Sequence, residues 1–149
     1  MIDLLPATPD LEGYAWLMRE SLSEGHQMLR RLDENWRAGT NTFSQAGELL
    51  LGAVSGPILV GICGRNIDPY ADDPRAGRVR HLYVRKDHRG RGIGRLLVQA
   101  VIRDAGLSFD RLNVRAPREA FRFYESLGFV RVDDDPHATH RLCTRFTSV

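Results

Sequence analysis

A short run of glycines and cations at residues 87–95 restricts this 149-residue chain more than any other stretch. Gly90, Gly92 and Gly94 alternate with basic residues directly before a helical pattern. Glycine permits positive φ angles and close approach of the backbone, so several N–H groups can converge on one anion. The start of the helix adds unpaired N–H donors with partial positive charge. The stretch therefore predicts a loop that binds a ligand carrying several phosphates.

Other kinds of glycine-rich loop are alternatives to a phosphate site. An ordinary turn between a strand and a helix gives the same spacing. The loop is not the mononucleotide P-loop, because no Gly-Lys-Ser or Gly-Lys-Thr ends it. It also lacks the dinucleotide fingerprint, in which Gly-x-Gly-x-x-Gly lies in a first βαβ unit and an acidic residue follows. The flanking sequence has to distinguish a phosphate site from a plain turn.

A strand pattern precedes the loop and a helix pattern follows it. Residues 77–84 are rich in strand formers and alternate with period two. From Ile93, apolar residues recur with helical spacing, which predicts a helix that ends at Gly106. Leu112 and Val114 then begin another strand. Strand, basic loop, helix and strand together predict a βαβ unit with a parallel crossover.

Two motifs in this region resemble those of the GNAT superfamily of N-acetyltransferases. Residues 89–94, Arg-Gly-Arg-Gly-Ile-Gly, match the acetyl-CoA motif Arg/Gln-x-x-Gly-x-Gly/Ala, which follows a strand ending in valine. Residues 120–130 match the second motif, a helix with an aromatic residue before tyrosine, then Leu-Gly-Phe and a strand. The resemblance implies an α/β fold, a GNAT-like α/β/α sandwich around a mixed, centrally splayed β-sheet. It also implies transfer of an acetyl group from acetyl-CoA to an amine by direct attack on the thioester.

The N-terminal part of the chain predicts one strand and two helices. Residues 2–7 form the strand, and Thr8 or Asp10 caps the helix after it. The helical pattern breaks near residues 23–25 and resumes until Gly39.

Residues 48–54 and 58–64 predict an antiparallel hairpin, because the intervening Ser-Gly-Pro is a turn sequence. Residues 65–76 are expected to form a polar loop. Further along, Pro117 suits the start of a helix that ends at Gly128. Strands are predicted at residues 129–132 and 141–146. The complete order is βααβββαβαββ, in a single domain over residues 1–149.

Charge and cysteine content favour an ordinary cytoplasmic protein. The chain has 21 basic and 19 acidic residues, and outside the glycine loop arginines alternate with acids, so no nucleic-acid partner is expected. Cys63 and Cys143 form no disulfide framework. No apolar run is long enough to span a membrane, and the first residues do not resemble a secretory signal. A homodimer is left open.

The resemblance also assigns contacts to acetyl-CoA. The end of the strand before the loop would pair with the pantetheine arm, and loop amides would bind the pyrophosphate. The assigned residues are Leu82, Tyr83, Val84, Arg89, Gly90, Arg91, Gly92, Ile93, Gly94, Arg95, Pro117 and Tyr124. At Pro117 many family members have an asparagine that contacts the CoA arm, so Arg118 replaces that contact or the contact is missing.

Tyr124 stands at the position of the family's proton-donating tyrosine, whose hydroxyl lies near the thioester sulfur. A phenol with a pKa of about 10 is protonated at neutral pH and gives its proton to a thiolate only in a late, coupled step. The alternative is that Tyr124 is simply a core residue on the apolar stripe of its helix.

The general base is less clear from the sequence. Where some relatives place glutamate or histidine on the strand before the loop, this chain has Arg78 and Arg80. His81 is the nominal base because an ordinary histidine titrates near neutrality, but it faces the other side of the strand unless a bulge turns it. Glu48, His140 or a water relay are the alternatives.

The acceptor is expected to be an amine of a small molecule or a peptide. Arginines facing the cleft would favour an acceptor that bears a carboxylate or a phosphate. The resemblance places one wall of the acceptor cleft in the first two helices, although the same side chains are also readily explained as surface or core residues. The candidates are His26, Asp33, Glu34 and Trp36 in the helices and the acidic pair Asp72 and Asp73 in the polar loop.

No metal is expected, because the five histidines lack the spacing of a zinc site. A second function is kept as an alternative: a non-catalytic CoA-binding module of the same fold, since fold alone does not decide activity. The retained Tyr124 favours the enzyme, and the absence of a strand carboxylate favours the module.

Overall fold

The computed structural model describes residues 1–144, which contain seven strands and four helices. The strands are β1 (Ile2–Pro6), β2 (Leu49–Ser55), β3 (Ile58–Ile67), β4 (Ala76–Val84), β5 (Arg111–Val114), β6 (Val130–Arg131) and β7 (His140–Cys143). The helices are α1 (Tyr14–Ser23), α2 (Met28–Ala38), α3 (Ile93–Arg103) and α4 (Phe121–Ser126). The order along the chain is βααβββαβαββ, which confirms the predicted fold class.

The strands form one mixed sheet in the order β1-β2-β3-β4-β5-β7-β6. Only β4 and β5 run parallel within it, as the βαβ pattern predicted. Their pairing covers Ala76 to Arg78 on β4 and Arg111 to Asn113 on β5, whereas β4 continues to Val84. Residues 79–84 therefore have no partner on the β5 side. The sheet is splayed at this point, and a free backbone edge faces the gap.

Two apolar clusters cover opposite faces of the sheet. Leu97 and Val101 of α3 belong to one cluster, together with Cys63 of β3. Leu17 of α1 belongs to the other, together with Ile62, the neighbour of Cys63. Adjacent strand residues point to opposite faces, so helices α3 and α4 lie on one face and α1 and α2 on the other. This arrangement is the predicted α/β/α sandwich.

Helix α1 begins later than the sequence suggested. Neither Thr8 nor Asp10 caps it; the Thr8 hydroxyl instead accepts a hydrogen bond from the Asp10 amide at 3.1 Å within a turn. Gly13, with φ 94°, precedes the first helical residue, Tyr14. A Cβ on Gly13 would lie 3.0 Å from the Cβ of Leu59, so close packing on β3 sets the start of the helix.

Strand β3 is longer than predicted and α3 is shorter, and Arg65 explains both differences. Arg65 continues β3 in what was expected to be loop, and its buried guanidinium donates to the Val101 carbonyl near the end of α3. It also pairs with Asp104 at 3.0 Å. The helix ends at Arg103, two residues after the carbonyl that Arg65 satisfies, and Gly106 lies in a 3₁₀ turn at Ala105–Leu107.

At the C-terminal end, Pro117 precedes a 3₁₀ turn at Arg118–Ala120 instead of opening α4 directly. The predicted last strand begins one residue earlier, at His140. Its predicted end at residues 145–146 lies outside the described residues. No helix within residues 1–144 has the length and apolar character that crossing a bilayer requires.

Candidate active site

A β-bulge lies in the free part of β4. Ile62 pairs with Tyr83 and Gly64 with Arg80, so His81 and Leu82 share one position opposite Cys63. His81 has φ 62°, which is rare for a residue other than glycine. The bulge was the condition under which His81 could turn toward the cleft. Its ring lies edge-on to Phe43, with centroids 5.9 Å apart.

The gap between β4 and β5 opens into a cavity of about 790 Å³. Every residue assigned to acetyl-CoA except Arg91 lines this cavity, and so does His81. The sequence did not point to several other lining residues, among them Val79, His88, Val114, Arg115, Glu119 and Phe123. Val79 lies on β4, Val114 on β5 and Phe123 on α4, and the other three lie in the turns next to these elements, so only the folded chain brings them together.

The glycine loop forms an open concave turn at one end of the cavity. Gly90 and Gly92 have φ values of 79° and 80°, and Gly92 directly precedes α3. A Cβ at either glycine would have no other atom within 4 Å. Helix α3 has no side-chain cap and no acidic residue in its first turn. Its first amides are therefore free to bind an anion.

The comparisons with known proteins agree with this geometry. A family model described as an acetyltransferase (GNAT) domain matches residues 46–131, more than half of the chain. The chain belongs to the GNAT acetyltransferase family. It is similar to a presumed acetyltransferase from Exiguobacterium sp. 255-15, with 31% identity, a TM-score of 0.83 and coverage of 96% of this chain and 93% of that chain.

Two more distant structures share only the fold with this chain. An acetyltransferase of the GNAT family from Staphylococcus aureus Mu50 has a TM-score of 0.66 at 15% identity, with 97% of this chain and 99% of that chain covered. A transcriptional regulator from Bacillus halodurans C-125 has a TM-score of 0.67 at 23% identity, with 91% and 97% covered.

Tyr124 lines the cavity with a buried side chain. Only 4% of the residue is exposed, and its ring packs against Phe123 and Phe129 at centroid distances of 5.0 and 5.4 Å. No group among residues 1–144 hydrogen-bonds to its hydroxyl. Burial raises the pKa of Tyr124, with a smaller contribution from Cys63. The hydroxyl therefore stays protonated at neutral pH.

His81 is a poor base in this environment. Burial lowers its pKa from the ordinary value to about 3, and the charge of Arg80 acts in the same direction. The imidazole is neutral at physiological pH, so it can accept a hydrogen bond. It holds a full proton only in strong acid.

The two rival bases have structural roles. Glu48 accepts hydrogen bonds from the Gln45 and Ile67 amides at 3.0 and 2.9 Å. His140 is fully buried, and its ring nitrogens lie 2.8 Å from Glu125 and 2.9 Å from the Thr139 hydroxyl. Neither side chain lines the cavity.

Arg89 fastens the glycine loop to α1. Its guanidinium donates to Glu24 at 2.6 Å and to the Val84 carbonyl at 3.0 Å. The hydrogen bond from Arg89 is the main reason why the pKa of Glu24 lies below its usual value. The Arg89 side chain is thus engaged by protein groups, and the backbone of the loop is the part left for phosphate.

Of the proposed acceptor contacts, only His26 lines the cavity. Asp33 pairs with Arg37 at 3.0 Å on the surface of α2. The remaining candidates also lie away from the cavity. In α2, Glu34 pairs with Arg30, and Trp36 packs against the apolar cluster of α1 and α2. In the polar loop, Asp73 pairs with Arg111, and Asp72 is exposed. Within residues 1–144, no three His, Cys, Asp or Glu side chains are grouped so that they could hold a metal ion.

Proposed function

We propose that this protein transfers an acetyl group from acetyl-CoA to a primary amine of a small molecule or a peptide. The observation that carries the proposal is the single cavity that joins the glycine loop, the free edge of β4 and Tyr124. Acetyl-CoA supplies the acetyl group already activated as a thioester. The protein then has to bind both reactants, orient them and handle the protons.

The residues present fit a CoA thioester. Open space at Gly90 and Gly92 leaves room for phosphate oxygens against the loop amides. The free edge at residues 79–84 offers unpaired backbone groups to an extended amide-bearing arm, as an added strand would use them. In this proposal one N–H of that edge also stabilises the negative charge that develops on the carbonyl oxygen.

Tyr124 acts on the leaving sulfur in this proposal. Its hydroxyl is buried, protonated and not bonded to another protein group among residues 1–144. Because its pKa is raised, the hydroxyl first donates a hydrogen bond to the sulfur, and proton transfer is completed late. His81 is neutral and accepts a hydrogen bond from the amine, while water takes the proton.

This assignment predicts a pH profile set by the acceptor and not by histidine. We expect kcat/KM to rise with pH up to the pKa of the acceptor amine, with no inflection near about 6.5. Two acceptors whose amine pKa values differ by about two units should give inflections that differ by the same amount. His81→Asn should fold, because asparagine tolerates positive φ. The shape of its pH profile should match that of the wild type, because His81 does not take the proton in this proposal. An inflection near 6.5 shared by both acceptors, and lost in this variant, would refute the assignment.

The function itself is tested by thiol release from acetyl-CoA across a broad panel of amines. We expect release above background for at least one amine, together with a CoA-dependent rise in melting temperature. If CoA stabilises the protein while release stays at background for every amine, the chain is a non-catalytic CoA-binding module.

A further inference from the structure

Next to the cavity, a group of charged residues lies on the face of the sheet that α1 and α2 share. Arg78 on β4 is in register with Asn113 on β5, and Asn113 with Arg141 on β7, so these side chains point to one face. Arg80 is two residues beyond Arg78 on β4 and points the same way. We call Arg78, Arg80 and Arg141 the arginine patch.

Within residues 1–144, only two of the three arginines in this patch form an ion pair with an acidic side chain. Asp68 lies 3.6 Å from Arg78, and Asp135 lies 3.3 Å from Arg141. The Arg80 side chain makes no hydrogen bond and no ion pair within 4.0 Å with any group of residues 1–144, although the more distant Asp68 carboxylate partly offsets its charge. One guanidinium of the patch is therefore left without a directly bonded acid.

Arg80 is not a freely solvated surface arginine. It is only partly exposed, and its pKa is lowered first by burial and then by the charge of Arg78. Removing a charge from water without a partner is costly, so proteins normally pair such groups. An anion bound beside Arg80 would remove this cost.

Arg78 also has hydrogen-bonding capacity to spare. Its side chain is 8% exposed, its Nη2 donates to the His137 carbonyl at 2.6 Å, and its guanidinium lies 4.8 Å from the centre of the Tyr70 ring. Its buried Nη1 has no hydrogen-bond acceptor within residues 1–144. Arg78 and Arg80 thus both present N–H donors that no group of the described protein satisfies.

Across the strand pair, Asn66 lies opposite Arg78 on β3. It is 5% exposed, and its buried Oδ1 has no hydrogen-bond donor within the described residues. A ligand that satisfies all of these groups needs both a negative charge and a hydrogen-bond donor.

The position along β4 connects this patch to the reaction. Val79 and His81, the two neighbours of Arg80, both line the cavity, whereas Arg78 and Arg80 are not among its lining residues. We propose that Arg80, assisted by Arg78, binds the carboxylate or phosphate of an amine acceptor that carries one negatively charged group. This inference depends on the proposed acetyl transfer, because it assigns the acceptor class of the same site.

The proposal is tested with matched pairs of acceptors that differ only in the acid group. Carboxylate is probed with the L-amino acids and β-alanine against their carboxamides, and phosphate with phosphoethanolamine against ethanolamine. Dissociation constants are measured on protein saturated with CoA, and kcat and KM for thiol release are measured with acetyl-CoA. We expect at least one acid to bind about tenfold or more tightly than its neutral partner.

Three variants test whether the arginine patch causes the preference for the acid over its neutral partner. Arg80→Gln should weaken binding of the preferred acid by about 10- to 100-fold and leave its neutral partner unchanged. Arg80→Lys keeps the charge and should retain part of the preference. Arg103→Gln is the control, because Arg103 is exposed in the last turn of α3, outside the cavity.

The outcomes separate this proposal from the proposed function. Thiol release with no preference for any acid in the wild type overturns the anion site and leaves acetyl transfer intact. A preference that Arg80→Gln does not reduce also overturns it. A preference that Arg80→Gln removes, without thiol release from any amine, supports the anion site and refutes the enzyme.

Discussion

Replacing Gly92 by valine is expected to weaken CoA binding by about 100-fold or more. Gly92 has φ 80°, an angle that a β-branched residue adopts only under strain, and it directly precedes the first amides of α3. No protein atom comes within 4 Å of a Cβ there, so the new side chain would extend into the open space that the proposed function assigns to the diphosphate. Titration calorimetry with CoA measures the effect.

Gly39→Val is the matched control for this variant. Gly39 also has a positive φ, 75°, and open space around a Cβ, but it ends α2 away from the cavity. Both variants should lose about 1 to 2 kcal/mol of folding free energy, and only Gly92→Val should lose CoA affinity. Unchanged CoA affinity in Gly92→Val would show that the glycine loop is an ordinary turn.

Tyr124→Phe is expected to lower kcat by about 100-fold, since a positioned general acid contributes at least that factor. The KM for acetyl-CoA should stay within about twofold, because the hydroxyl acts on the leaving sulfur and not on binding. The fold should be unaffected, because no group among residues 1–144 bonds to the Tyr124 hydroxyl. Steady-state kinetics measure kcat and KM, and a melting curve tests whether the fold is unaffected.

Tyr14→Phe is the control, and we expect it to lower stability without lowering kcat. Tyr14 is equally buried, but its hydroxyl donates to the Leu29 carbonyl at 2.6 Å and lies outside the cavity. Its loss should cost about 1 kcal/mol of stability and leave kcat unchanged. If Tyr124→Phe turns over as fast as the wild type, Tyr124 is a core residue only.

The order of elements could be predicted because each depends on a local pattern. Helical spacing after Ile93, period-two alternation at residues 77–84 and the turn at residues 55–57 each identify one element. The free edge of β4 followed from the family resemblance. Nothing in the local sequence shows that pairing with β5 stops at Arg78.

Errors arose where distant residues decide a boundary. Gly106 was a reasonable helix end, but α3 ends earlier, where Arg65 bonds the Val101 carbonyl. A Cβ at Gly106 would lie 2.7 Å from the Thr144 carbonyl oxygen, so close approach of the chain after β7 explains this glycine. Such contacts link residues far apart in sequence, and no periodicity predicts them.

The sequence predicted residues that line the candidate cavity, but not how the charges beside the cavity are paired. Local sequence pointed to the glycines and the family resemblance to Tyr124, whereas the orientation of His81 depended on a bulge. That Arg80 lacks a directly bonded acid emerges only when Asp68 and Asp135, from two separate loops, are seen to pair with Arg78 and Arg141.

Helix α3 is anchored at only one end. Arg65 bonds the Val101 carbonyl near its C-terminus, while no side chain caps its first turn. In the free protein, deuterium should therefore enter the amides of residues 93–95 well before those of the last turn. Diphosphate bound at the uncapped end would slow deuterium uptake there. The difference in uptake between the two ends of α3 therefore reports whether the diphosphate site is occupied, even when no acceptor is known.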